Sequence, residues 1–171
     1  MKPRTNDPRN RRRRGNTMIE LALTFLPTFA LLFAFIDFGM AIFAWTSLQN
    51  AVREGCRYAI TYQTGGSGQD AAIKAVVQQY SMGFVSATAS PVQIVVNYYA
   101  PSAPNTVLTG VGSNGPGNIV EVKVQNYSWR YLAPLSGSFT SPLRDTTPLA
   151  INVSSYDIMG GYPAGVVSVG R

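Results

Sequence analysis

Arg11-Arg-Arg-Arg-Gly-Asn-Thr-Met-Ile-Glu20, with the apolar run Leu21 to Trp45 behind it, decides how this chain is built. Four arginines stop at Gly15, a single carboxylate follows at Glu20, and no residue from Leu21 to Ile36 is charged. A bilayer core of roughly 30 Å is crossed by about 20 helical residues. Met18 to Trp45 supplies that length with some left over. The run is too long for the apolar region of a cleavable secretory peptide, and no small-x-small site follows it, so the span is expected to stay in the mature protein. Trp45 at its far end fits an aromatic interface anchor. Arg11, Arg12, Arg13 and Arg14 set the topology: a basic flank stays cytoplasmic and the far side of the span faces out.

Three residues interrupt the run. Glu20 sits at its start, where a carboxylate near the interface costs little but a deeper one needs a partner. Asp37 lies about 25 Å further along a helix at about 1.5 Å per residue. Two readings stand for it: an interfacial residue among headgroups, or a contact with a neighbouring subunit. Pro27 removes one helix donor and strands the carbonyl of Leu23, which predicts a kink or loosened turn.

The formal net charge of +6 belongs to a tail. Residues 1–15 hold seven basic residues against Asp7, and the remainder holds seven of each sign. That leader, residues 1–15, is too polar to pack and is expected to be disordered. A nucleic-acid-binding fold would carry its charge on a folded face, so no nucleic-acid partner is expected. One cysteine, Cys56, excludes an internal disulfide, and the absence of histidine removes the commonest general base and metal ligand. The carboxylates of residues 63–171, Asp70, Glu121, Asp145 and Asp157, are scattered without ligand spacing. The chain reads as no enzyme, with no catalytic residues, no cofactor, no metal and no small-molecule ligand.

Gly15-Asn-Thr-Met-Ile-Glu20 resembles a type IV prepilin cleavage site. The resemblance implies processing at Gly15 by a membrane prepilin peptidase, a mature chain starting at Asn16, and Glu20 as its fifth residue. Glycine leaves the backbone open to a protease. The new amine at Asn16 would be a cation in a low-dielectric bundle, where Glu20 of an adjacent subunit neutralises it. Further on, Asp37-Phe-Gly39 and Ala51-Val-Arg-Glu-Gly-Cys-Arg-Tyr-Ala59 are similar to the TadE-like family, pseudopilin-like proteins of the tight-adherence (Tad, Flp-type) pilus. Residues 11 to 62 carry the likeness. An arginine often follows Asp-Phe-Gly in that family; Met40 stands there in this chain and removes a local charge partner for Asp37.

Beyond the span, residues 47–62 read as a juxtamembrane helix continuing the transmembrane helix of residues 16–46. Leu48, Val52, Cys56 or Gly55, and Ala59 form an apolar stripe, which either packs on the chain's own sheet or in part contacts another subunit. Gly55 suits a close approach of helix or sheet, and Cys56 a small buried group. Residues 63–171 read as an extracytoplasmic α+β domain with long loops. A flexible break at Gln63–Gln69 leads into a helix from Asp70 to Met82, whose face is Ala72, Ala75 or Val76, Gln79 and Tyr80, with Gly83 as its C-cap. Strands are expected at Val92–Tyr99, Ile119–Tyr127 and Leu149–Ser155. The second alternates Val120, Val122 and Val124 against Glu121, Lys123 and Gln125. Pro101–Asn118 and Ala133–Pro148 read as loops, Gly160-Gly161 as a turn, and Gly165–Arg171 as a frayed end. Gly110-Val-Gly-Ser-Asn-Gly115 formally matches a dinucleotide loop but has no helix after it.

The fold expected is α+β, pilin-like: one N-terminal transmembrane helix continuing into a long helix packed on a small antiparallel sheet. The function the resemblance implies is a minor pilin or pseudopilin of the inner (cytoplasmic) membrane, assembling or initiating a Tad pilus. Its partners would be the membrane, prepilin peptidase, other pilins or pseudopilins and the pilus assembly machinery. Subunit contacts are expected at Glu20, Pro27, Asp37 and Gly39. The alternative is an uncleaved single-pass protein with an extracytoplasmic binding or sensor domain.

Overall fold

A computed structural model describes the backbone of residues 8–64, 66–89, 93–129, 148–166 and 168–171, with side chains from Asn16 onward. Two helices and four strands follow in order: α1 (Pro8–Ala59), α2 (Gln69–Tyr80), β1 (Ile94–Ala100), β2 (Ala103–Val107), β3 (Ile119–Trp129) and β4 (Leu149–Ile158). The protein is α+β, a long apolar N-terminal helix followed by a small antiparallel sheet. Two compact units divide the chain: Met1–Met40 with Tyr131–Thr146, and Ala41–Arg130 with Thr147–Arg171.

In the first unit α1 begins at Pro8, so the second half of the leader is helical where disorder was expected. Proline's fixed φ and missing N–H suit a first helical position, and arginine is a good helix former. Residues 1–7 lie outside the described residues. From Met18 to Met40 the large apolar side chains are exposed on all sides of the helix. A helix apolar all round is one meant for lipid or a protein interior. Phe25, Phe29 and Phe33 stack along one side at centroid separations of 4.2 and 6.1 Å. Pro27 lies within the helix, which runs through it. Around it the Thr24 hydroxyl donates to the Glu20 and Leu21 carbonyls, and the Thr28 hydroxyl donates to the Thr24 carbonyl at 2.7 Å. Such back-bonding shields these polar groups where water is excluded.

In the second unit the same helix is buried along one stripe. Ala44, Leu48, Ala51, Val52, Cys56 and Ala59 are inside, at the three- and four-residue spacing of an amphipathic face. They pack with α2 on one face of a four-stranded sheet of order β2-β1-β3-β4, antiparallel throughout. Ile94, Val96 and Tyr98 of β1, Val120, Val122 and Val124 of β3, and Ile151 and Val153 of β4 supply that sheet face. At Gly55 helix α1 meets both α2 and the sheet closely. A Cβ there would lie 2.6 Å from Val77 Cγ2 and 3.3 Å from Val122 Cγ1, so only glycine admits both α2 and the sheet.

Several local expectations are corrected. The juxtamembrane helix ends at Ala59 rather than Tyr62, closing in a turn where Tyr62 takes φ 57°. The buried face of α2 is Gln69, Ile73 and Val77, not the stripe through Ala72 and Gln79. Its β-branched pair wins the core position, while Gln69 is inside because its side chain is bonded at both ends. The Gln69 amide donates to the Ala59 carbonyl at the end of α1, at 2.6 Å, and its oxygen accepts from Asn114 Nδ2, also at 2.6 Å. Part of the loop expected at Pro101–Asn118 is strand β2, exposed throughout and paired only on one side. Pro104 is tolerated there because an outermost strand needs only one row of donors.

Strand β3 extends to Trp129 through a bulge. Pairing advances three residues on β3, Val124 to Tyr127, against two on β4, Val153 to Ile151, with Asn126 at φ 59°. One extra residue reverses the side-chain parity. Val120, Val122 and Val124 face the core before it, and buried Trp129 with half-buried Tyr127 after it. The segment from Gly165 is docked rather than frayed: Val169 is buried, and Gln69 donates its backbone N–H to the Gly170 carbonyl at 3.0 Å. Most of the loop expected at Ala133–Pro148, and Val92 of the first strand, lie outside the described residues.

Gly55→Ala tests the three-layer contact. Alanine gains about 1 kcal/mol of helix propensity, but overpacking against stiff, buried Val77 costs typically 1–3 kcal/mol. The expected outcome is a lower melting temperature of the full chain in detergent, followed by circular dichroism; an unchanged or raised value would show that α2 gives way.

Candidate membrane and subunit-contact site

The residues singled out in the sequence lie along α1 and are separated by it. Gly15 is helical backbone, and the side chains of Arg11–Arg14 lie outside the described residues. Asn16 and Glu20 are exposed, four residues apart and therefore on one face. Thr24 and Thr28 continue that spacing, and the result is a polar stripe on an otherwise apolar surface. Pro27 is exposed beside it. Gly39 has nothing within 4 Å of where a Cβ would stand, an open notch of the kind that lets another backbone approach. Asp37 is only 5% exposed within the chain itself. The geometry does not bring Glu20 and Asp37 together, since about 25 Å of helix separates them at about 1.5 Å per residue. Among the described residues one helix is long and apolar enough to cross a membrane, over Asn16–Ala59.

Residues 15–57 match the family model described as TadE-like protein. The likeness read from Glu20, Asp37-Phe-Gly39 and Arg53-Glu-Gly55 is borne out over that stretch. The matched stretch begins at Gly15 and ends two residues before the last of α1, so it takes in the exposed apolar part and most of the buried stripe. No curated protein and no solved structure matches the chain.

A second cluster, on the sheet face turned away from α1, escaped the sequence reading. Glu121 was placed on the polar side of β3, yet it is 5% exposed. Its carboxylate accepts from Tyr156 Oη at 2.6 Å, Tyr99 Oη at 2.7 Å and Asn97 Nδ2 at 2.8 Å, with Lys123 Nζ 3.9 Å away. Asn97, Glu121 and Tyr156 are direct partners across β1, β3 and β4. Burial works against the Glu121 charge, but the bonds from Tyr156, Tyr99 and Asn97 outweigh it and hold the carboxyl below its ordinary value. Burial and the bond to Glu121 push Tyr99 up to about 12. The bond to Glu121, then burial, raises Tyr156 as well. An ionised acceptor among protonated phenols is a clamp joining three strands rather than an acid–base pair. The signal in the sequence was weak: one acid in a strand whose neighbours carry Asn-Tyr-Tyr99 and Ser-Tyr156.

A third cluster anchors the chain's last residues. Arg171 Nε and Nη2 lie 3.0 and 2.9 Å from Asp70 Oδ2, and Arg171 Nη1 donates to Ser113 Oγ at 2.9 Å. The guanidinium carbon stands 4.9 Å from the ring centre of Tyr98, whose hydroxyl donates to Asp70 Oδ1 at 2.9 Å. Burial, then the Asp70 charge, raises the Tyr98 phenol. Cys56 is buried, donates to the Ser155 carbonyl at 3.2 Å, and has its thiol pushed up by burial. A thiol so held is a poor nucleophile.

The Glu121 clamp has a pH signature. Its folded pKa is depressed, so its stabilisation is fully present above the unfolded value, near 4.5, and drains as pH falls through the lower folded value. Glu121→Gln is therefore expected to cost about 1–3 kcal/mol at neutral pH. Denaturant titration of the full chain in detergent checks this, with the wild-type advantage shrinking below about pH 4.5. An advantage independent of pH would mean that packing, not charge, is what the glutamine loses.

Proposed function

We propose that this protein is a minor pilin or pseudopilin of a tight-adherence pilus, held in the inner membrane by α1 and processed by prepilin peptidase after Gly15. One observation carries the reading: the TadE-like match opens at Gly15, at the junction between the arginine block and a helix long and apolar enough to cross a membrane. The arginines keep the leader cytoplasmic, and the domain beyond Trp45 faces out. Its role is structural rather than enzymatic, and its partners are other pilins or pseudopilins and the pilus assembly machinery.

Cleavage after Gly15 would leave Asn16 as a cationic terminus. Glu20, exposed one turn further on, would then be a carboxylate near a helix N-terminus, where its charge is favourable. In a bundle of such helices the Asn16 amine and the Glu20 of a neighbouring subunit neutralise each other, and that pairing fixes the axial register of subunits. Gly39 gives the neighbour a place to approach, with Pro27 on the same exposed length of helix.

Intact mass and N-terminal sequencing of the membrane-extracted protein from its native host test the processing. The expected chain starts at Asn16. A chain that keeps its arginines in cells with an active prepilin peptidase overturns the pilin reading and leaves an anchored module. Separately, Glu20→Ala is expected to be cut normally yet to impair pilus assembly, scored by pilus yield. Normal piliation in that variant would sink the pairing with the Asn16 amine.

A further inference from the structure

The geometry points to a second lipid contact, made by the turn after α2: Met82, with Phe84 behind it, rests in the outer interface of the bilayer beside the end of the span. The observations lie within the unit of Ala41–Arg130 and Thr147–Arg171. Ile42, Phe43 and Trp45, the last large apolar residues of the run, are each nearly half exposed on α1. Against this collar stands the turn Ser81–Phe84. The Ser47 hydroxyl lies 3.9 Å from Met82 Sδ, and the Phe43 and Phe84 rings meet edge-on at 6.0 Å. Phe84 in turn meets Tyr127 at 6.0 Å. The turn is therefore level with the collar that includes Trp45.

Met82 is 71% exposed and takes φ 53°. That backbone region suits glycine or asparagine, and a methionine there gains nothing from water. An apolar, polarisable, unbranched side chain beside aromatic rings suits the headgroup–acyl boundary. Charge agrees: between Lys74 and Glu121 the chain holds no charged residue at all. A turn in that stretch loses no charge solvation on entering an interface. A span alone holds the outer domain at one point; a second contact off the helix axis fixes its rotation about α1.

The inference rests on α1 crossing the membrane and not on the pilus reading. Hydroxyl-radical labelling of the unmodified full chain, one copy per phospholipid nanodisc of phosphatidylethanolamine and phosphatidylglycerol, tests it by mass spectrometry. Methionine is readily oxidised wherever water reaches it. Met40 in the span and Met159, 1% exposed, set the protected level, and Tyr156, 59% exposed, sets the solvent level. Met82 is expected to oxidise as slowly as Met40, several-fold below what its exposure in water would give. Fast oxidation of Met82 with Met40 protected overturns the inference and leaves the span standing. Fast oxidation of both overturns the span. Protection of Met82 that appears only in discs holding two copies assigns the turn to a second chain and overturns the lipid contact.

Discussion

α1 is one hydrogen-bonded ladder, long and apolar enough to cross a membrane. A helix bonds its backbone within itself, so it is the element that passes from lipid to a water-facing domain without stranding polar groups. What changes along it is the side-chain rule. Up to Met40 large apolar residues are exposed all round, and from Ala44 only one stripe is buried while Asn50, Arg53 and Arg57 face out. The buried stripe is made of small residues: Ala44, Ala51, Gly55, Cys56 and Ala59 outnumber Leu48 and Val52. Small side chains bring the helix close to the sheet, and dispersion and burial then act over many short contacts. Gly55 is the limit of that tendency, with α2 on one side and β3 on the other.

The sheet face opposite α1 meets water, and a buried acid in the middle of it carries a different consequence. Glu121 bonds side chains from both neighbouring strands at once, so a register slip of either strand would strand a charge. The apolar face alone specifies register only to two residues, because valines at every second position of β3 offer the same surface after a two-residue slip. A single carboxylate with tyrosines on both sides removes that degeneracy. The bulge at Asn126 acts with it, since one inserted residue fixes where the strand changes parity.

The long elements were legible because they are periodic. The long apolar helix, the stripe from Leu48 to Ala59 and the alternation of Val120, Val122 and Val124 each repeat a simple pattern, and each is where the pattern put it. What was not legible depended on contacts between distant positions. Exposed β2 carries no apolar alternation and exists because the β1 edge offers it a ladder. α2 turned a different face inward because Gln69 bonds both Ala59 and Asn114, and polar residues in a core are invisible to a hydrophobic count. Of the candidate site residues, Gly15, Asn16 and Glu20 were proposed from spacing and from likeness to a cleavage motif. The Glu121 clamp was not, because it draws on three strands.

The described residues of Gly165–Arg171 show how such distant contacts accumulate. Six of the seven residues there are glycine, serine or valine, a composition that reads as loose. Arg171 nevertheless joins Asp70 on α2, the Tyr98 ring on β1 and Ser113 in the loop before β3. Gly68 makes room for it, since a Cβ there would collide with the Arg171 backbone. Asp70 is thereby shared between a guanidinium and the buried Tyr98 hydroxyl, so neither the phenol nor the carboxylate is left without a partner. The consequence is that α2, the sheet and the chain's last residues are tied at one point. The end of α1 joins the same network through Gln69, whose backbone N–H bonds Gly170 while its side chain bonds Ala59. A force applied along α1 would therefore reach the sheet through hydrogen bonds as well as through the packed stripe.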